Sequence, residues 1–209
     1  MVTIRFEEVI QRFHGRTIFG PIQAELASGR IVAVTGQNGS GKSTLLKLAA
    51  HLLLPTAGRV VVMADGRELV GDSLRRRLAM VTPELRFYPR LTARGNMDFL
   101  LGLRGRALDE TAYQALLERV GLREKEIGTA FAGEFSTGMR QRLKLAVLLA
   151  SGADIWLLDE PGANLDAAGR KLILREARQA ADEGRLVCWA TNDEREEAAA
   201  DAAIKLAGH

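Results

Sequence analysis

Residues 36–43 have the types and the spacing needed to bind phosphate. They follow the pattern G-x-x-x-x-G-K-S, in which glycines let the backbone wrap an anion with its N–H groups pointing inward. The Lys42 ammonium would reach the β- and γ-phosphates of a nucleotide, and the Ser43 hydroxyl would bind Mg²⁺. Because the pattern follows an apolar strand at 31–34 and opens a predicted helix at 44–54, we favour a phosphate-binding loop over an ordinary glycine-rich turn. The predicted nucleotide ligands from this loop are Gly36, Gln37, Asn38, Gly39, Ser40, Gly41, Lys42, Ser43 and Thr44.

Two carboxylates at Asp159 and Glu160 directly follow the apolar run 155–158. A buried strand there would place Asp159 at the carboxyl edge of a sheet, where open α/β folds bind their ligands. Asp159 would then hold Mg²⁺, directly or through water, and Glu160 would polarise a water for in-line attack on the γ-phosphate. The alternative is a pair of exposed carboxylates after a strand. With the phosphate-binding loop upstream, we interpret the pair as part of a MgATP site.

The distribution of apolar residues along the rest of the chain predicts the strands and helices that must position the phosphate-binding loop and the two carboxylates. Apolar runs typical of buried strands alternate with helical periodicity, and this predicts a mainly parallel sheet with helices on both faces. Residues 2–6 and 22–26 alternate apolar with polar side chains, as half-buried antiparallel strands do. We therefore predict an α/β fold: a P-loop NTPase core, an N-terminal antiparallel β subdomain and a small α-helical subdomain. The chain is expected to be a single domain, 1–209, with its core at about 1–83 and 139–209 and the helical subdomain at about 84–138.

Composition narrows the possible partners and compartments. The 209 residues are 47% hydrophobic and 26% charged, as in ordinary globular proteins. A net charge of +3 and an aromatic content of 5% predict no nucleic-acid partner. The single cysteine, Cys188, lies in an apolar run and indicates a core thiol in a reducing compartment. No stretch approaches the roughly 20 apolar residues that span a membrane, and the N-terminus has no signal-peptide pattern, so we expect any membrane role to be exercised from the cytoplasm through another subunit.

A third motif relates the chain to a known family. Residues 135–139, Phe-Ser-Thr-Gly-Met, resemble the L-S-G-G-Q signature of ATP-binding cassette (ABC) ATPases, although Thr137 and Met139 depart from it. The motif lies about 20 residues before Asp159, which is its position in the family. Ser136 can cap the helix that follows and leave free N–H groups at its start. The resemblance implies that Ser136, Thr137 and Gly138 form a second phosphate cradle, which closes on ATP held by a second subunit.

The resemblance extends from about residue 4 to residue 206. Phe13 lies 23 residues before Gly36, where the family stacks an aromatic ring on adenine; the alternative is a core phenylalanine near a hairpin. Residues 163–166 match the family's loop that contacts the partner subunit. In size the chain is similar to the small ATPase subunits of haem-exporter and cytochrome-c-biogenesis transporters.

Two positions depart from the family pattern. Pro83 stands where the family has a glutamine that ligates Mg²⁺ and senses the transporter. Glu84 would replace that ligand with a carboxylate oxygen, or it is a loop residue and water fills the metal shell. Asn192 stands where the family has a switch histidine; its amide can donate a hydrogen bond to a γ-phosphate oxygen but cannot carry a proton. The resemblance thus implies Glu160, Lys42 and Asn192 as catalytic residues and Ser43 and Asp159 as metal ligands.

Together these features predict an ATP-binding, ATP-hydrolysing subunit that dimerises around MgATP and powers a separate membrane permease. It would be a homodimer, or a heterodimer with another ABC ATPase, peripheral on the cytoplasmic face of the cell membrane. Two alternatives stay open: a soluble ABC ATPase of the translation or DNA-repair type, and an ATP-binding gate with little hydrolysis. Arginines flank the loop by which the family meets its membrane partner, and they suit either acidic groups there or a solvated surface. They are Arg75, Arg76, Arg77, Arg86, Arg90 and Arg94.

Overall fold

Strands and helices alternate along most of the chain. The computed structural model describes residues 1–207, apart from the side chains of Glu124 and Glu126. The strands are β1 Val2–Phe13, β2 Arg16–Ala27, β3 Arg30–Thr35, β4 Ala57–Ala64, β5 Arg67–Glu68, β6 Leu78–Val81, β7 Ile155–Asp159, β8 Leu186–Thr191 and β9 Ala202–Lys205. The helices are α1 Lys42–Ala49, α2 Gly71–Arg77, α3 Ala93–Gly102, α4 Glu110–Arg119, α5 Glu124–Ile127, α6 Thr137–Ala150, α7 Ala167–Asp182 and α8 Glu194–Ala198.

A five-stranded parallel sheet in the order β6-β7-β8-β3-β9 presents the predicted chemistry at its carboxyl edge. Its central strands are buried along nearly their whole length, as expected of a parallel sheet covered on both faces. The register pairs Thr35 with Thr191 and Asp159 with Ala190. The residues that follow β7, β8 and β3 therefore emerge side by side.

A second, antiparallel sheet in the order β2-β1-β4-β5 confirms the predicted N-terminal β subdomain. Its inward side chains, among them Ile4, Phe6 and Leu26, are at most 1% exposed and join the same hydrophobic core as Leu157 and Cys188 of the parallel sheet. The α/β fold class predicted from the sequence is confirmed.

Some element boundaries differ from the predicted ones for local reasons. The helix predicted at 44–54 ends at Ala49, because His51 takes a left-handed φ of 53° and Pro55 follows. Within residues 84–138, the predicted helical subdomain, α3 and α4 are separate helices. The elements α2, α8, β5 and β9 were not predicted, since each is only two to seven residues long.

By their contacts the residues divide into two units. Of the described residues, the first comprises 1–82, 153–161 and 174–207, and the second comprises 83–152 and 162–173. The sequence assigned 139–209 to the core, whereas α6 groups with the helical unit because it contacts α3 and α4. The expectation of one single domain stays a prediction. Within residues 1–207, no helix is long and apolar enough to cross a membrane.

Candidate nucleotide-binding site

The loop between β3 and α1 forms a concave backbone cradle in the first unit. Three of its glycines have positive φ angles, 148° at Gly36, 84° at Gly39 and 93° at Gly41. A Cβ atom on Gly41 would lie 2.6 Å from side-chain atoms of both Ile18 and Phe19 in β2. The antiparallel sheet therefore supports the loop from behind, and only glycine fits where the two meet.

Lys42 is the first residue of α1 and lies beneath the cradle. Its Nζ donates hydrogen bonds to the carbonyl oxygens of Gly36 at 2.8 Å and Gln37 at 3.1 Å, and the residue is only 6% exposed. Because both acceptors are neutral, the ammonium keeps its full charge for an anion above the loop. The buried Ser40 hydroxyl has no hydrogen-bond partner among the described residues. The arrangement fits a phosphate group, for which helix N-termini of this kind provide N–H donors and a positive dipole.

Asp159 and Glu160 occupy the carboxyl end of β7, as predicted. Asp159 is 4% exposed. Glu160 is partly exposed and adopts a left-handed φ of 49°, while its backbone N–H donates to Ala190 of the neighbouring strand at 2.9 Å. Such a conformation costs about 1–3 kcal/mol and is concentrated at functional sites. The turn therefore supports a functional role for this carboxylate.

Asn192 follows β8 and reaches the phosphate-binding loop. Its Nδ2 donates to Oδ1 of Asn38 at 3.3 Å, although 154 residues separate the two in the chain. Asp193 then begins α8 by accepting a hydrogen bond from Arg195 N at 2.8 Å. The strand order thus brings Asn192 beside the loop predicted to hold the γ-phosphate.

The oxygen donors here suit Mg²⁺. Ser43 lies in the first turn of α1, and α1 contacts both β7, which carries Asp159, and β8. Hydroxyl and carboxylate oxygens are the hard ligands that Mg²⁺ prefers, and it takes few of them from the protein when phosphates share the shell. Among residues 1–207 no cluster of three or more His, Cys, Asp or Glu side chains could hold a metal. A divalent ion would therefore complete its shell with phosphate oxygens and water.

The signature residues lie in the second unit, at the start of α6. Ser136 caps this helix by accepting a hydrogen bond from Met139 N at 3.2 Å, which confirms the predicted cap. Thr137 and Gly138 are the first two residues of the helix, so their N–H groups have no partner within it. The start of α6 can accept an anion in the way predicted.

Phe13 ends β1 opposite Arg16 and is 41% exposed. An exposed ring at the end of a hairpin strand can stack on a flat base, and its exposure argues against the alternative of a core phenylalanine. Adenine stacking by Phe13 stays a prediction.

Sequence reasoning missed Lys144 of α6, a polar residue with an evident structural role. It is 6% exposed, and its Nζ donates to the carbonyl oxygen of Pro83 at 3.3 Å. Lysine is rarely buried at this level unless it is paired. Val147 and Leu148, three and four residues further along the helix, lie on the same face as Lys144 and were the signal that could have identified it.

The parallel sheet, the glycine cradle and the lysine beneath it define a nucleotide-binding P-loop protein. The family model described as "ABC transporter" matches residues 19–163. The chain belongs to the ABC transporter family of ATP-binding proteins.

Two characterised relatives are ATP-binding proteins of transport systems. The chain is 34% identical over 200 residues to the sulfate/thiosulfate import ATP-binding protein CysA of Synechococcus elongatus, covering 94% of this chain and 57% of that protein. It is 37% identical over 158 residues to the cytochrome c biogenesis ATP-binding export protein CcmA of Xanthomonas campestris pv. campestris, covering 76% and 72%. The chain thus spans under three fifths of the CysA length, and the cytochrome-c-biogenesis type is among its relatives.

The fold is that of solved ABC cassettes. A structure described as the ATP-binding subunit of an ABC transporter matches with a TM-score of 0.82 and 22% identity, over 97% of this chain and 85% of that one. The dimeric structure of MJ0796, a bacterial ABC transporter cassette, matches with a TM-score of 0.81 and 24% identity, over 99% and 94%.

Proposed function

We propose that this chain is the ATP-hydrolysing subunit of an ABC transporter, which dimerises around MgATP and drives a separate membrane permease. The observation that supports it best is the carboxyl edge of the parallel sheet. There Lys42 lies beneath the glycine cradle, Asp159 and Glu160 end the strand two places away, and Asn192 contacts the loop. This is the set of groups that phosphoryl transfer to water requires.

Each residue of the site has a separate role in ATP binding or hydrolysis. The loop N–H groups and Lys42 bind the β- and γ-phosphates and fix their position. Glu160 accepts a proton from the attacking water, and Asn192 Nδ2 exchanges its bond with Asn38 for one to a γ-phosphate oxygen. Bound Mg²⁺, held by Ser43 and Asp159, would neutralise developing negative charge. Phe13 stacks on the adenine.

The second phosphate cradle supports a dimer. ATP-binding subunits of this family dimerise in solved structures. In this chain Ser136 caps α6, and the N–H groups of Thr137 and Gly138 have no hydrogen-bond partner within the helix. We propose that they bind the γ-phosphate of ATP held by the loop of a second cassette, identical or homologous.

The permease would dock on a rigid surface of the second unit. The fully buried Asn96 accepts a hydrogen bond from Tyr88 N at 2.7 Å and donates to the carbonyls of Tyr88, Leu91 and Thr92. This fixes a loop whose exposed Tyr88 ring packs edge-on against the exposed Phe99, with ring centroids 4.8 Å apart. Preorganised aromatic side chains are typical anchors of protein interfaces.

Five of the six arginines predicted to flank this loop fall into two groups. Arg75, Arg77 and Arg94 form ion pairs with carboxylates of their own unit and so favour the interpretation as a solvated surface. Arg86 and Arg90 are exposed beside the aromatic pair. We propose that these two meet acidic groups of the permease, at the cytoplasmic face of the membrane.

The gate with little hydrolysis is the second candidate, because Asn192 replaces a group that could carry a proton. Steady-state phosphate release by wild type and Glu160→Gln separates the two functions. Wild type should hydrolyse MgATP, and the variant should be slower by about 10²-fold or more, because an amide cannot act as a base. Equal release by wild type and variant, while both bind MgATP, would favour the gate.

The same variant tests the dimer. Glu160→Gln should run as a dimer on gel filtration with MgATP and as a monomer without it. Lys42→Ala serves as the control, since it should lose most of its ATP affinity and stay monomeric. A Glu160→Gln protein that binds MgATP but remains monomeric would contradict a shared site.

A further inference from the structure

Helix α6 holds two segments of the second unit that follow neighbouring strands of the parallel sheet. The chain passes into this unit at Pro83, just after β6, and again at Gly162, just after β7. Lys144 Nζ donates to the Pro83 carbonyl at 3.3 Å, and Gln141 Nε2 donates to the Ala163 carbonyl at 3.5 Å. The two donors are three residues apart and therefore lie on one face of the helix.

Lys144 is the charged donor of this pair, and the carboxylate that acts on its charge is Glu84. Burial is the largest effect and lowers the pKa of the Lys144 ammonium; the Glu84 carboxylate opposes this, and Arg140 adds to the lowering. A buried ammonium near a second cation is stable only with compensating groups. The Pro83 carbonyl and the Glu84 carboxylate supply that compensation, and both belong to the segment after β6.

This segment is also where the chain departs from its family. Pro83 cannot offer a side-chain ligand, but its carbonyl is bound by α6. Glu84 interacts electrostatically with Lys144 of the same unit. This interaction supports a role of Glu84 as counterion of Lys144, and the Mg²⁺ titration of Glu84→Gln separates that role from one as metal ligand.

We propose that Lys144 is a positioning residue, which holds the Pro83–Glu84 segment on the middle of α6 and thereby sets the position of the phosphate cradle at the start of that helix. The inference rests on the proposed function, because the cradle is the part that binds ATP of a second subunit. A cavity of about 390 Å³ is lined by Pro83, Arg86 and Lys144.

The test compares Lys144→Met, Lys144→Arg and Glu84→Gln, with Lys125→Met as a matched control. Lys125 is an exposed lysine of the same unit. MgATP affinity should stay within about twofold of wild type in all four, because the phosphate-binding loop belongs to the other unit. The kcat of Lys144→Met should fall about tenfold, the upper part of the range seen when coupling residues are changed. Lys144→Arg should retain most of the rate, and Glu84→Gln should lower it without raising the Mg²⁺ concentration needed for half-maximal activity.

A readout independent of hydrolysis is the MgATP concentration at which the proteins dimerise in the Glu160→Gln background. It should rise in Lys144→Met and not in Lys125→Met. Wild-type kcat and wild-type dimerisation in Lys144→Met would overturn the proposal, and so would a raised Mg²⁺ requirement in Glu84→Gln alone. If Lys144→Met fails to fold, Glu84→Gln still tests the proposal through its rate and its Mg²⁺ requirement. Loss of MgATP binding by wild type would instead overturn the proposed function.

Discussion

Two glycines of the phosphate-binding loop offer a direct test of how the loop is supported. Both Gly39 and Gly41 have left-handed φ angles, 84° and 93°. Their surroundings differ, because a Cβ on Gly39 meets nothing within 4 Å, whereas one on Gly41 lies 2.6 Å from Ile18 Cγ2 and from Phe19 Cδ1. The pair therefore separates backbone strain from steric conflict within one loop.

The expected losses in the free energy of unfolding follow from these two effects, backbone strain and steric conflict. An alanine forced into the left-handed region costs about 1–2 kcal/mol, and this is the whole expected loss for Gly39→Ala. Gly41→Ala carries the same strain plus overpacking of about 1–3 kcal/mol, because Phe19 is only 1% exposed and has little room to move. Its total loss should be about 2–5 kcal/mol.

Urea unfolding of the nucleotide-free proteins measures the difference. A third variant, Phe19→Leu combined with Gly41→Ala, should recover part of the loss, since neighbouring substitutions that share a steric conflict couple by about 0.5–3 kcal/mol. Equal destabilisation by the two glycine variants would refute the conclusion that β2 supports the loop.

Two further predictions concern Asn192 and Cys188. Asn192→His should leave ATP affinity nearly unchanged and raise the rate of phosphate release, because the ring can donate to the γ-phosphate and hold the attacking water; an unchanged or lower rate would mean that asparagine is already matched to its neighbours. Burial raises the pKa of the Cys188 thiol to about 12, so at pH 8 it is protonated as well as inaccessible. A chromogenic disulfide reagent should therefore label it only after unfolding in urea, and rapid labelling of the native protein would show that β8 opens.

Local patterns predicted the parts of the site that are contiguous in sequence. The apolar strand, the glycine spacing and the following helix lie within 20 residues of one another, so composition and periodicity sufficed for the loop around Lys42. The same holds for Asp159, which directly follows an apolar run. The end of α1 was misjudged because apolar residues continue to Leu54, while the left-handed backbone of His51 ends the helix earlier.

Contacts between distant segments were beyond single-sequence reasoning. The bond from Asn192 to Asn38 depends on β8 lying next to β3, and strand order leaves no mark in one sequence. The loop fixed by Asn96 and the contact of Lys144 with Pro83 depend likewise on tertiary packing. For both Asn96 and Lys144, the available signal was a polar residue at an apolar helical position. Their structural roles could be assigned only once the fold showed which segments they contact.

The contact of Asn192 also bears on the function of that position. The bond to Asn38 is 3.3 Å long and exposed, so replacing it with one to a phosphate oxygen costs little, since such neutral bonds contribute only about 0.5–1.5 kcal/mol. A bond to a charged acceptor is about twice as strong, so the exchange is favourable. We therefore propose that Asn192 detects the γ-phosphate through its amide and lacks only the proton-carrying part of the histidine role. This argues that the substitution lowers the rate of hydrolysis without abolishing the response to bound ATP.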